Sequence, residues 1–149
     1  MTDVKSNIKI QPLSTNDFPS IIKVWRASVC ATHHFFTLEE IEFYQPLILK
    51  YTLPQLALYG IKENNILCGF IALSEKKIEM LFISPDKFKQ GYGSKLLSFA
   101  IKKGCTLIDV NEENPNALKF YKHQGFSVIS RDEFDDCGKP HPILHMRLK

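Results

Sequence analysis

The stretch IEMLFISPDKFKQGYGSKLLSFAIKKG, residues 78–104, passes through three backbone regimes in succession. It opens on IEMLFI, an apolar run of strand length, and breaks at Ser84-Pro85. A turn follows that carries Gly91 and Gly93 among Lys87, Lys89 and Lys95. The chain then resumes with Leu96, Leu97, Ala100 and Ile101 on one helical face, and Gly104 is the expected stop. A strand, a glycine-bearing turn and a helix opening together make a site for phosphate. Glycines let the backbone approach closely, the first amides of the helix have no internal acceptor, and the helix dipole adds roughly half a positive charge there. The glycine pair alone fits equally well a plain loop with solvated lysines. A P-loop is excluded because Gly93 is followed by Ser94-Lys95 in the wrong order. A dinucleotide fingerprint would need glycine at position 96, which is leucine, and would follow a first strand and not a fourth.

Upstream, LALYGIKE (56–63), ILCGFIAL (66–73) and IEMLFI (78–83) are separated by short polar turns, which predicts a three-strand antiparallel meander. Ile8 and Ile10 alternate as a first strand. Phe18, Ile21, Ile22, Trp25 and Val29 predict a helix over residues 17–31. Leu38, Ile41, Tyr44 and Ile48 predict another, which Pro46 should kink or split and Pro54 should close. Downstream, TLIDV reads as a strand. In NPNALKFYKHQGF (114–126), Asn114 reads as an N-cap, Pro115 as the first helical residue and Gly125 as the stop. FSVIS and ILHMRL are closing strands around the acidic, turn-rich RDEFDDCGKPHP. The order is β-α-α-β-β-β-α-β-α-β-β.

With 149 residues, 44% hydrophobic, the chain is expected to form one domain over residues 1–149 with a filled core. Its net charge of +3 is too small and too scattered to argue for nucleic acid, and no apolar run approaches the ~18–20 residues of a membrane span. Cys30, Cys68, Cys105 and Cys137 match no zinc or redox spacing and follow no secretory leader, so reduced thiols, no bound metal and a cytoplasmic location are expected.

Taken together, the meander, the strand ending LFISP, the turn QGYGSKLL and the N-x-x-A-x-x-F-Y-x-x-x-G-F run from Asn114 to Phe126 resemble the GNAT superfamily of acetyl-CoA-dependent N-acetyltransferases. The resemblance runs through most of the chain and is strongest over residues 78–126. WRASVCATHHF (25–35) and DDCGKPHP (135–142) further resemble a bacterial subgroup of small, stand-alone members. It implies an α+β fold of three layers, α/β/α, around a mixed, mostly antiparallel sheet of about seven strands, splayed between strands 4 and 5, with about four helices. It also implies that acetyl-CoA is the co-substrate. The pyrophosphate would sit on the backbone amides of Lys89, Gln90, Gly91, Tyr92, Gly93 and Ser94. The pantetheine arm would lie along Leu81, Phe82 and Ile83, with Asn114 as a further contact. Two positions depart from the family pattern: Phe88 stands where Gln or Arg is usual, and Lys89 where glycine is common.

Acetyl transfer to an amine requires a neutral amine, a stabilised oxyanion and a proton for the departing thiolate. By the resemblance, Tyr121 is the general acid, and an ordinary phenol is protonated at neutral pH. Backbone amides near Leu81 would polarise the thioester carbonyl. For the base, the position where some relatives carry Glu or His is Lys77, and strand alternation points to Glu79 on the same face. An ordinary ion pair with a neighbouring lysine explains Glu79 equally. His33 and His34 at the end of the first helix are the other candidates, for the base or for a substrate contact, because imidazole titrates in the useful range. A cap favourable to the helix dipole is the plain alternative, and Lys77 is expected beside the acceptor with them. The acceptor is a small-molecule, peptide or protein amine, and the protein a monomer or homodimer. The rival reading is an acyl-CoA-binding or regulatory module without transferase activity.

Overall fold

The computed structural model describes residues 8–34 and 36–149. Seven strands, β1 (Ile8–Pro12), β2 (Ala57–Glu63), β3 (Ile66–Ser74), β4 (Lys77–Ile83), β5 (Leu107–Asn111), β6 (Phe126–Asp132) and β7 (Ile143–Leu148), form one mixed sheet in the order β1-β2-β3-β4-β5-β7-β6. All neighbours are antiparallel except β4 and β5. That parallel pair is in register only at Lys77↔Leu107 and Ile78↔Ile108, after which the strands part. The expected splay is therefore present, and it leaves the β5-facing edge of β4 beyond Ile78 without a strand partner.

Helices α1 (Phe18–Thr32) and α2 (Leu38–Leu47) cover one face, and α3 (Tyr92–Lys102) and α4 (Pro115–His123) the other. On α1, Ile21, Val24, Trp25, Ser28 and Val29 are buried at three- and four-residue spacing against Phe70 and Ala72 of β3. On α3, Leu96, Leu97 and Ala100 are fully buried with Ile71, Ile78, Ile108 and Met146. The polar turn between β2 and β3 is Asn64-Asn65, both at positive φ (53° and 67°), the twist a two-residue hairpin requires. Pro46 stays inside α2, and the hydrogen-bond ladder widens into a π turn over Ile48–Thr52 before a 3-10 turn at Leu53–Gln55 ends the segment. None of the described helices is long and apolar enough to cross a membrane.

One sequence expectation needs correcting. Strict alternation along β4 would set Ile78, Met80 and Phe82 on one face. Instead the register slips between Ala72 and Leu73, so that Ile78 pairs with Leu73 and Met80 with Ala72. Glu79 is the extra residue of this β-bulge. Consequently Ile78, Leu81 and Ile83 face α3 and α4, whereas Met80 and Phe82 face α1 and α2. Face alternation thus does not relate Lys77 to Glu79, although the two side chains still meet at 3.8 Å.

Candidate functional site

Where β4 and β5 part, a cavity of about 750 Å³ opens, walled by both strands, the start of α3, the first turns of α4 and the end of α1. Of the residues singled out by sequence, Glu79, Leu81, Phe82, Ile83, Lys89, Gly91, Tyr92, Gly93, Ser94, Asn114, Tyr121 and His33 line it. Gln90, Lys77 and His34 are not among its lining residues, and the Gln90 amide instead donates to the Asp86 carbonyl at 3.3 Å.

The turn before α3 is held from outside the cavity. Lys87 Nζ pairs with Glu63 Oε2 at 2.9 Å, and the Tyr92 hydroxyl donates to Glu63 Oε1 at 2.5 Å. That bond to Glu63, with burial adding to it, pushes the Tyr92 phenol up to about 12. The turn is thus fastened to the end of β2 by two side chains, and residues 87–89 and 91–94 line the cavity. Gly91, the N-cap of α3, sits at φ +83°, and a Cβ built there would meet no protein atom within 4 Å. Lys89 adopts φ +64°, a left-handed conformation that glycine takes without cost. The departure from the glycine common there therefore leaves the shape of the turn intact. A capless helix start of eleven residues, an open space above its N-cap glycine and two flanking lysines fit a bound phosphate group.

Across the cavity, Tyr121 is 7% exposed and packs edge-on against Phe120 and Phe126. Among the described residues no side chain hydrogen-bonds its hydroxyl. Burial pushes its phenol above the ordinary value, so it holds its proton throughout the neutral range. Asn114 accepts from the Ala117 amide at 3.2 Å, which makes it the N-cap of α4 as well as a wall residue.

At the apex of the splay, ion pairs run across four strands. Lys77 Nζ meets Asp109 Oδ2 at 2.6 Å; His145 bridges Asp109 and Asp132, each at 2.6 Å; Ser74 donates to Glu79. Burial is the largest single influence on the Lys77 ammonium and would lower it, but the bond to Asp109 together with the charges of Asp109, Glu79 and Asp136 outweighs it, and the net shift is upward. Lys77 is therefore a fixed cation and cannot serve as a base. Sequence reasoning missed Asp109, the lone carboxylate of the TLIDV strand, which lines the cavity, and Ser28 and Thr32 of α1, which do the same. The polar residue between buried Ile108 and Val110 was the available signal for Asp109.

Burial, with the charge of His34 added, pushes the His33 imidazole down to about 4. Its ring stacks on Phe36 at 5.6 Å and leans on Phe82 of β4 at 6.2 Å. Nearby, His141 bonds Glu40 of α2 at 2.7 Å and Glu113 at 2.8 Å, and the Tyr44 hydroxyl donates to Asp135 at 2.5 Å. These contacts tie α2 to the β6–β7 loop beside the cavity.

Comparison with known proteins agrees with this layout. Residues 54–128 match the family model described as an acetyltransferase (GNAT) domain. The peptidyl-lysine N-acetyltransferase YjaB of Salmonella typhimurium (strain LT2) is 37% identical over 128 residues, covering 85% of this chain and 88% of that protein. The solution structure of apo-form YjaB from Escherichia coli superimposes with a TM-score of 0.86 at 33% identity, covering 94% of this chain and 96% of the other. A crystal structure of the PaiA N-acetyltransferase from Thermoplasma acidophilum in complex with coenzyme A shares the fold, with a TM-score of 0.75 at 22% identity over 95% of this chain and 99% of that one.

Proposed function

The chain belongs to the GNAT family of acetyltransferases, and on that premise we propose that it transfers the acetyl group of acetyl-CoA to the ε-amine of a peptidyl lysine by direct attack. The observation that carries this reading is the meeting, in one cavity, of a phosphate-competent turn, an unpaired strand edge and a buried protonated phenol. Residues 89–94 take the pyrophosphate on their amides, with Asn114 at the opposite wall, and the pantetheine runs along the main chain of Leu81, Phe82 and Ile83, completing the edge that β5 leaves open. Beside the Glu79 bulge, strand amides near Leu81 polarise the thioester carbonyl.

Lysine acceptors arrive charged, since an ordinary ammonium near 10.4 is less than ~0.1% neutral at pH 7. Glu79 receives the proton, directly or through water; its carboxylate is in the cavity wall, aligned by Ser74 and Lys77. The neutral amine attacks the thioester carbon, and the C–S bond breaks as Tyr121 gives its proton to the leaving thiolate. The extra proton left on the new amide nitrogen returns through water to the Tyr121 phenolate, so that the one proton released overall is the one taken by Glu79. Asp109 adds a second carboxylate on the acceptor side, which favours a cationic amine. The acceptor assignment draws on the activity in the name of the YjaB relative.

A free-thiol assay with acetyl-CoA against lysine peptides, peptides offering only an α-amine, and small polyamines tests this. Lysine peptides should give the fastest release. Coenzyme A binding without thiol release from any acceptor would reduce the protein to a binding module.

A further inference from the structure

The space between β4 and β5 ends where the two strands meet, and its two sides differ there in chemistry. The last paired residues are Ile78 and Ile108. Both side chains turn toward α3 and α4, into the core cluster that also holds Tyr121. They line the cavity although they are only 1% and 3% exposed, so it narrows to a close-packed end at this pair. Strand alternation turns Asp109 to the opposite side, where Lys77 bonds it at 2.6 Å and meets Glu79 at 3.8 Å. Glu79 and Asp109 line the cavity as well. The blind end is therefore apolar on the α3 and α4 side and lined by carboxylates on the other.

A thioester carbon is planar and carries three groups. With the cofactor along β4, its sulfur comes from the wide end toward Tyr121, and its carbonyl oxygen faces the strand amides near Leu81. The third group, the acyl chain, is left pointing at the apex and at β5. We propose that Ile108, backed by Ile78, is the stop that selects acetyl over longer acyl chains, while the amine enters from the carboxylate side. This deepens the transferase reading and rests on it for the placing of the thioester. Each methylene beyond acetyl would press on β-branched side chains that have few rotamers to yield, inside a core packed as densely as an organic crystal. Ile108→Val makes room for one carbon there and changes neither charge nor polarity.

The test uses the coenzyme A thioesters of acetic, propionic and butyric acid on wild type, Ile108→Val and Ile61→Val. Ile61 is buried in the same cluster but does not line the cavity, so its variant controls for a loosened core. By isothermal titration, wild type should bind acetyl-CoA about tenfold more tightly than propionyl-CoA, with about a further tenfold loss for butyryl-CoA, the usual worth of one misfitted methylene. In Ile108→Val the gap between acetyl and propionyl should close to within about threefold, with acetyl-CoA affinity unchanged. Ile61→Val should keep the wild-type gap. Free-thiol release with Nα-acetyl-lysine methylamide should rank the thioesters in the same order. Equal binding of all the thioesters by wild type, an unchanged gap in Ile108→Val, or an equal closing of the gap in Ile61→Val overturns the proposal. If binding shows the expected gaps yet no thioester releases thiol with any amine, the acyl stop stands and the transferase reading fails.

Discussion

Replacing Gly91 by alanine isolates the ligand function of the turn from its folding function. Gly91 sits at φ +83° and ψ 5°, where an L side chain costs roughly 1–2 kcal/mol of backbone energy. The loss of unfolded-state freedom on replacing glycine returns about 0.4–1 kcal/mol. No protein atom lies within 4 Å of the added methyl, so no steric term enters. The net destabilisation is about 1 kcal/mol, a fall in Tm of roughly 2–4 °C for a chain of this size. Gly138, in the β6–β7 loop, supplies the control: φ is +76°, its Cβ also meets nothing, and it does not line the cavity. Calorimetry should give Gly91→Ala and Gly138→Ala the same small loss of Tm. Isothermal titration with coenzyme A should separate them, with Gly138→Ala binding as wild type and Gly91→Ala weaker by at least about tenfold, the equivalent of one charge-assisted hydrogen bond. Equal affinity in both variants would show that the pyrophosphate lies elsewhere.

Two further outcomes follow from the buried titratable groups. Tyr121→Phe removes a hydroxyl that makes no side-chain hydrogen bond among the described residues, so its Tm should stay within about 1 °C of wild type, while kcat falls by about 10²–10⁴ with little change in coenzyme A affinity; an equally active variant removes the phenol from the mechanism. His33 has a native value pushed down to about 4 against an unfolded value near 6.5, so the unfolded chain binds the extra proton between them. Its contribution to stability is complete above pH 6.5 and is lost as pH falls toward 4, by up to about 3 kcal/mol. Denaturant titrations of His33→Gln should show a shallower acid limb over that window, and identical limbs would show that the imidazole is not desolvated.

Periodic burial made most of the fold legible. Ile21, Val24, Trp25 and Val29, or Leu96, Leu97 and Ala100, declare a helix face because one stripe must leave water, and the structure buries those residues. The β4 bulge was not legible, because it depends on how Ala72 and Leu73 pair across the hairpin, and a one-residue slip leaves no mark in composition. The glycine turn and residues from the Asn114–Phe126 run both line the cavity, and both were legible because backbone conformation and caps are local properties. What escaped was long-range and polar. Glu63 fastens the turn from 24 residues away at Lys87 and 29 at Tyr92, and Asp109 pairs with Lys77 across the splay. Such partners are set by topology, which a linear pattern of charges does not encode.

The account turns on one claim, that the space opened between β4 and β5 is where acetyl-CoA binds and reacts. Amide hydrogen exchange with and without acetyl-CoA tests it most directly. Protection should concentrate in residues 79–83, along the unpaired edge of β4, and in residues 89–94 at the start of α3, with a weaker effect over 114–121. Protection centred on any other part of the chain, with free thiol still released in the same sample, would contradict it.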